Sequence, residues 1–374
     1  MTSKVLDAGG TRGRDQKLKL GICCFPLSRG RETGRGLERV IEEFCRSLER
    51  NKEDFEFYDR GLIKNEVRAI AESFIYAAQL KSQNADCYFA VYSVAGLFPA
   101  LLLKRPLITL ITDLIPFHVT AFDNKLKYWI KRVCCRIACR RSDHLIVGSA
   151  TIREELISLL KVPKEKISVV PWGLSHETYF PKQNSKKVAG RVAFLGEAKR
   201  SKGLDTLIRA FALVHARYPS ASLEIASRGS ELEEMKNLAN EVLLDGSYKF
   251  LGFVPESEMN SFYNEAEVFV FPSRYGFGLS ALEAMAAGTP TIVGATLDAI
   301  DFFKDSDLLV DPESPEELAQ KILQLLTDGA LRALKSKEAI EVARHYSWDS
   351  MAAGYLEVCR KQRKLLAERA GPMH

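Results

Sequence analysis

The sequence predicts an α/β protein of two doubly wound parallel domains facing a cleft, and three observations carry that expectation. The chain has 374 residues, too many for one ordinary α/β core and suited to two domains of typical size. Short apolar runs alternate with amphipathic segments along its length, and the series occurs twice. Between the two series lies a polar, glycine-containing stretch, FPKQNSKKVAGR at 180–191, of the kind that separates domains.

Residues 1–16 are polar and glycine-rich without an apolar segment, so they are expected to form a disordered leader and not a signal peptide. KLKLGICCF then reads as a strand and LERVIEEFCRSLER as a helix with apolar residues at helical spacing. The loop between them carries Gly34, Gly36 and several arginines. A loop after the first strand of a doubly wound sheet faces the cleft, although a glycine pair by itself also suits an ordinary surface loop. The stretch ADCYFAVYSVAGLFPALLL, 85–103, is nearly uncharged and roughly long enough to cross a bilayer. Gly96 and Pro99 divide it instead into a buried strand, a turn and a short helix.

LITLIT, SDHLIVGS and KISVVPW complete the first series of strands, and RVAFLG, SLEIAS, KFLGF, VFVFPS and TPTIVG make the second. The last segment, 349–370, reads as one long helix that crosses back to the first half. The expected domains are 17–182, with that helix, and 188–348.

With 46% apolar and 27% charged residues the composition is that of a soluble globular protein. A net charge of +5 is modest, so any basic surface must come from clustering. The eight cysteines include two adjacent pairs and no CxxC, which suits reduced thiols in a cytoplasmic protein. Cys134, Cys135 and Cys139 lack a second ligand pair at zinc-finger spacing, so no metal is expected.

The most informative stretch is PSRYGFGLSALEAMAAGTP, 272–290. An apolar strand stops at Pro272, a Gly-Phe-Gly turn follows, and a helix bearing Glu283 begins. The first backbone N–H groups of such a helix have no intrahelical acceptor and suit a phosphate or a sugar hydroxyl. The amides of Gly276, Phe277, Gly278 and Leu279 depend only on turn geometry for this. A diphosphate leaving group gains negative charge as its bond breaks, so fixed cations should also point at it. Lys202, in the RSKG loop ahead of another helix, is placed to supply one.

These residues resemble glycosyltransferase family 4, the retaining transferases with the GT-B fold. FLGEAKRSKGLDTLIRAF, LGFVPESEMNSFYNEAEVFVFPS and GFGLSALEAMAAGTPTIVG are similar to successive parts of its nucleotide-sugar domain. The first half is similar more loosely, through GRGLERVIEEF, LITLITDLIPF and ISVVPWGLSHETYF. The resemblance implies Lys202 on the donor phosphates, Glu283 on the ribose hydroxyls, and Val254 and the 276–279 turn around the donor. It also implies front-face attack with retention, the leaving phosphate taking the acceptor's proton, and no bound metal or other cofactor.

Three positions depart from the family pattern. Relatives place an arginine after the glycine of the RVAFLG strand, where this chain has Glu197, so Lys199 or Arg200 is expected to act instead, or else the leaving group is less well stabilised. Relatives place a glutamate on the transferred sugar just before the turn, where this chain has Tyr275. Loss of such a charged hydrogen bond costs about 1.5–3 kcal/mol, or one to two decades of turnover. Relatives read His-Asp where this chain has Thr112 and Asp113. Asp113 either orients the sugar or an acceptor hydroxyl, or caps the following segment.

Between Asp123 and Asp143 there is no acid, while Lys125, Lys127, Lys131, Arg132, Arg136, Arg140 and Arg141 alternate with Tyr128, Trp129, Ile130 and Val133. Such a helix suits an anionic membrane surface, or packs its apolar stripe inward and leaves a solvated basic face. The expected partners are a nucleotide-sugar, a saccharide or lipid-linked acceptor and a membrane, not nucleic acid. Two activities follow from the resemblance: sugar transfer from a GDP- or UDP-linked hexose in cell-surface polysaccharide synthesis, with mannose one expected sugar, or donor binding by a relative that no longer transfers.

Overall fold

The computed structural model describes residues 18–23, 36–58, 74, 75, 77, 78, 81, 85–91, 97–103, 106–118, 125–183, 187–296, 303 and 307–370. The expected leader, 1–16, and Gly34 lie outside them.

The first lobe is built on β1 (Lys19–Cys23), α1 (Gly36–Arg50), β2 (Asp54–Tyr58), β3 (Cys87–Val91), α2 (Leu97–Leu102), β4 (Leu107–Ile111), α3 (Ile115–His118), α4 (Lys125–Arg141), β5 (His144–Val147), α5 (Ala150–Leu160) and β6 (Ile167–Val169). Its six strands pair in parallel in the order β2-β1-β3-β4-β5-β6. CYFAV and LITLI are buried at every position, as central parallel strands covered on both faces must be. Within 85–103 the described residues form a strand and a short helix, Gly96 lying outside them, and no helix among the described residues is long and apolar enough to span a membrane.

The second lobe contains β7 (Arg191–Glu197), α6 (Leu204–Arg217), β8 (Ser222–Arg228), α7 (Leu232–Val242), β9 (Tyr248–Phe250), α8 (Glu256–Glu265), β10 (Val268–Phe271), α9 (Leu279–Ala286), β11 (Thr291–Gly294), β12 (Leu309–Val310), α10 (Pro315–Thr327) and α11 (Gly329–Ala343). Its sheet runs β12-β11-β10-β7-β8-β9, also parallel. The strand order reverses between β7 and β10, which pair at Val192↔Val268 and Ala193↔Phe269. Loops leaving the carboxyl ends of two such strands diverge and leave a crevice. Those loops carry Lys202 and the 276–278 turn.

The long carboxyl-terminal helix α12 (Trp348–Ala370) returns to the first lobe, as expected, and packs on α1 and β3. Tyr355 is fully buried there between Phe44 and Phe89, with ring centroids 5.2 and 5.4 Å away. Gln362 reaches His144 Nδ1 at 3.0 Å, Arg360 pairs with Glu53 at 2.6 Å, and Arg50 pairs with Asp349 at 2.5 Å. The returning chain passes Gly173 so closely that a Cβ there would stand 2.0 Å from the Ser347 carbonyl carbon, which leaves room for glycine alone. Seven of the cysteines lie among the described residues, and all seven are buried thiols outside any disulfide.

Candidate nucleotide-sugar site between the lobes

The turn expected to hold a donor has the backbone its sequence requires. Gly276 and Gly278 sit at φ +102° and +79°, conformations that L side chains rarely adopt. Gly278 is also the residue that starts α9 and, having no side chain, supplies no capping oxygen. No serine or aspartate side chain therefore caps the start of α9, although the Ala281 N–H is taken up by the Gly278 carbonyl at 3.0 Å.

Lys202 lies across this turn. Its Nζ donates to the Tyr275 carbonyl at 3.1 Å, and a Cβ on Gly276 would sit 3.0 Å from that nitrogen. The loops from β7 and β10 are further stitched by Arg274, which sequence reasoning passed over. Its guanidinium reaches Asp205 at 3.1 Å and pairs with Glu313, while its N–H donates to the Ser201 carbonyl at 2.9 Å. Side-chain hydrogen bonding to Glu313 and Asp205 keeps the group cationic, above its ordinary range despite partial burial.

Neither candidate for the missing arginine is unengaged. Arg200 pairs with Glu234 of α7, and Lys199 Nζ lies 2.8 Å from Glu197. Val254 is half-buried two residues before α8, against the core of the second lobe.

Glu283 is buried on α9, and both its oxygens accept hydrogen bonds: Oε1 from Arg39 Nη1 and Oε2 from the Tyr263 hydroxyl, each at 2.8 Å. Arg39 comes from α1 in the other lobe. It also donates to the Tyr179 hydroxyl at 3.0 Å and pairs with Glu256 at 3.1 Å. Burial pushes the Glu283 carboxyl above its usual range, and Arg39 and Tyr263 offset only part of that rise. Burial alone would lower the Arg39 guanidinium, but Glu283, Tyr179 and Glu256 together raise it. A ribose hydroxyl reaching Glu283 must share these oxygens or displace a protein donor.

Three other expected residues meet across the lobes. The Phe277 side chain is buried against the first lobe, its ring centroid 4.6 Å from that of Trp172, and a Cβ on Gly148 would come within 3.1 Å of it. Its side chain is thus committed to packing between the lobes. Leu279 lies close to Gly36, 3.3 Å from where a Cβ would stand. Tyr275 lies against His118 of α3, with ring centroids 6.0 Å apart and planes at 25°.

Asp113 makes the contacts of a cap: Oδ1 accepts from the Ile115 N–H and Oδ2 from the Thr112 hydroxyl, both at 3.2 Å. On the basic helix α4, Trp129 is 61% exposed, and Arg136, Arg140 and Arg141 are exposed. Arg132 Nε donates to the Pro116 carbonyl at 2.6 Å, Arg136 lies 5.2 Å over the Phe117 ring, and Lys131 lies 5.7 Å from the Tyr128 ring. The side chains of Lys125 and Lys127 lie outside the described residues.

Arg39, His118, Trp172, Tyr179 and Tyr263 were not singled out from the sequence. Each meets the site only through the fold, and nothing local in the sequence marks Arg39 within α1 or Tyr263 within α8.

Comparison with known proteins bears on the family and the fold. The profile of "Glycosyl transferases group 1" matches residues 175–342, and that of "Glycosyltransferase Family 4" matches residues 34–178. An uncharacterised glycosyltransferase of Methanocaldococcus jannaschii is 30% identical over 56% of this chain and 58% of its own. A D-inositol 3-phosphate glycosyltransferase of Corynebacterium urealyticum is 31% identical over 62% of this chain and 59% of its own. The chain thus spans under two thirds of the length of the curated relatives it matches. Among solved structures, sucrose-phosphate synthase of Thermosynechococcus elongatus shares 20% identity at a TM-score of 0.81, covering 94% of this chain and 100% of that one. Anabaena HepE, solved with UDP and glucose, shares 16% identity at a TM-score of 0.73, covering 92% and 100%. With two parallel six-stranded sheets facing a cleft and consecutive profiles matched from 34 to 342, the chain belongs to the family 4, group 1 glycosyltransferases and has the GT-B fold.

Proposed function

We propose that the chain transfers a hexose-type sugar from a GDP- or UDP-linked donor to a saccharide or lipid-linked saccharide, with retention of anomeric configuration. The observation that carries this reading is the uncapped glycine turn opening α9 with Lys202 across it. Amides and an ammonium so arranged stabilise the charge that grows on a departing diphosphate. The acceptor hydroxyl attacks from the face the diphosphate leaves, and a phosphate oxygen takes its proton, so no side-chain nucleophile is required. Closure of the lobes excludes water, whose attack on the donor is the competing reaction.

The test is incubation with a panel of GDP- and UDP-sugars, following free nucleotide with and without saccharide acceptors. Acceptor-dependent release of nucleotide is expected from at least one donor. A second reading, a donor-binding relative that no longer transfers, is favoured by Glu197 paired with Lys199 and by Tyr275 ahead of the turn. That reading predicts binding of nucleotide-sugar without release of nucleotide.

Contact of α4 with an anionic membrane is part of the proposal, supported by exposed Trp129, Arg136 and Arg140 on one helix. Salt-sensitive binding to vesicles containing phosphatidylglycerol, absent with phosphatidylcholine alone, is the expected result. Lys125, Lys127 and Lys131 would add to that surface, whereas Arg132, expected there, is engaged with the Pro116 carbonyl. The inner face of the cytoplasmic membrane, in cell-surface polysaccharide synthesis, is the setting this implies.

A further inference from the structure

The four-residue turn α3 is braced well beyond what a short connection needs. Asp113 accepts from its first N–H, Arg132 donates to the Pro116 carbonyl at 2.6 Å, and the Arg136 guanidinium lies 5.2 Å over Phe117. The Phe117 N–H donates to the Leu114 carbonyl at 2.8 Å. The residue these contacts hold in place is His118, whose ring lies against Tyr275 across the cleft.

His118 Nε2 lies 3.0 Å from Glu155 Oε1, on α5. The second Glu155 oxygen is sealed from solvent and has no hydrogen-bond partner among the described residues. A carboxylate only accepts, so in the neutral imidazole the proton sits on Nε2 and Nδ1 is an acceptor. Among the described residues Nδ1 has no partner. A ring fixed through one nitrogen with the other left open is how proteins aim a histidine at a ligand.

The neighbouring polar groups are otherwise committed. Asp113 caps α3, Glu283 is bonded to Arg39 and Tyr263, and the Tyr275 carbonyl accepts from Lys202. The residue directly before Gly276 is Tyr275, not a carboxylate. A sugar bonded to a diphosphate held at Lys202 has Tyr275 beside it and His118 on the facing lobe. We infer that His118 accepts a hydrogen bond from a hydroxyl of the transferred sugar, with Glu155 positioning its ring and Tyr275 forming the wall it rests on. The inference rests on the donor site proposed above and names the residue by which the first lobe distinguishes a nucleotide-sugar from a bare nucleotide.

Calorimetry on the full chain with UDP, GDP, UDP-glucose and GDP-mannose tests it. For His118→Ala, affinity for the diphosphate stays within about twofold while affinity for the matching nucleotide-sugar falls about tenfold. His118→Asn keeps a short polar group at this place and recovers part of the loss. Glu155→Gln gives an intermediate loss, seen as a raised donor KM with kcat held, since the contact exists before and during transfer. An equal loss for diphosphate and nucleotide-sugar in His118→Ala, or no loss for either, overturns this inference alone. Failure of the unaltered chain to bind any of the four probes overturns the donor site and this inference together.

Discussion

Arg39 and Glu283 lie 244 residues apart and share a 2.8 Å ion pair that joins the two lobes. Glu283 is almost fully buried and Arg39 largely so, which makes the pair costly to halve: removing one partner of a buried pair leaves a desolvated charge, worth about 3–5 kcal/mol. Arg39→Ala and Glu283→Ala should each lower thermal stability by several degrees, and the double variant by much less than their sum. Thermal denaturation across the cycle measures the coupling. Additive losses would mean the two side chains do not depend on one another.

Lys202 faces the turn without holding the core together, so its loss should fall on chemistry. Lys202→Ala is expected to fold with nearly unchanged stability and to lose roughly 10²–10³ in kcat, the scale for removing one preorganised donor to a developing oxyanion. Steady-state release of nucleotide, beside a denaturation curve, separates the two effects.

Position 278 has a left-handed backbone, φ +79° and ψ +41°. Asparagine tolerates this region better than β-branched residues do. Gly278→Asn should therefore retain more stability and activity than Gly278→Val, which is expected to lose about 1–2 kcal/mol in strain alone. Urea unfolding of the two variants provides the comparison.

His144 is buried between Ser168 and Gln362, bonded to them at 2.8 and 3.0 Å. Burial, with smaller contributions from Lys361 and Lys166, pushes its pKa down to about 4 from an ordinary 6.5. Between those values the unfolded chain binds a proton that the folded chain does not. Stability from this group is complete above about 6.5 and is lost as pH falls toward 4. His144→Asn should reduce the pH slope of unfolding free energy in that window by up to about one proton, or about 1.4 kcal/mol per pH unit. Urea titrations between pH 4 and 7 measure that slope, and an identical slope in the variant would assign the acid sensitivity elsewhere.

Both sheets were legible in the sequence because each central strand is a short, continuously apolar run, as in CYFAV and VFVF, set off by glycine or proline. The turn at 276–278 was legible for a local reason too: glycines between a strand and a helix permit the positive φ such a turn adopts. What sequence could not show is which side chains meet once the lobes face each other. Nothing near Arg39 marks it as a partner of Glu283, and nothing in IPFH marks His118 as the neighbour of Tyr275. The bracing of α3 by Arg132 and Arg136 was equally hidden, since a basic helix reads alike whether its arginines face solvent or hold a loop.

The near-contact at Gly173 has a mechanical consequence. The chain passes between lobes twice, once on the way to Tyr179, whose ring meets that of Tyr263 edge-on, and once near Ser347 on the return. The two segments run side by side at this glycine, backbone against backbone. Any side chain at 173 would push the returning segment off the first lobe, and with it the start of α12.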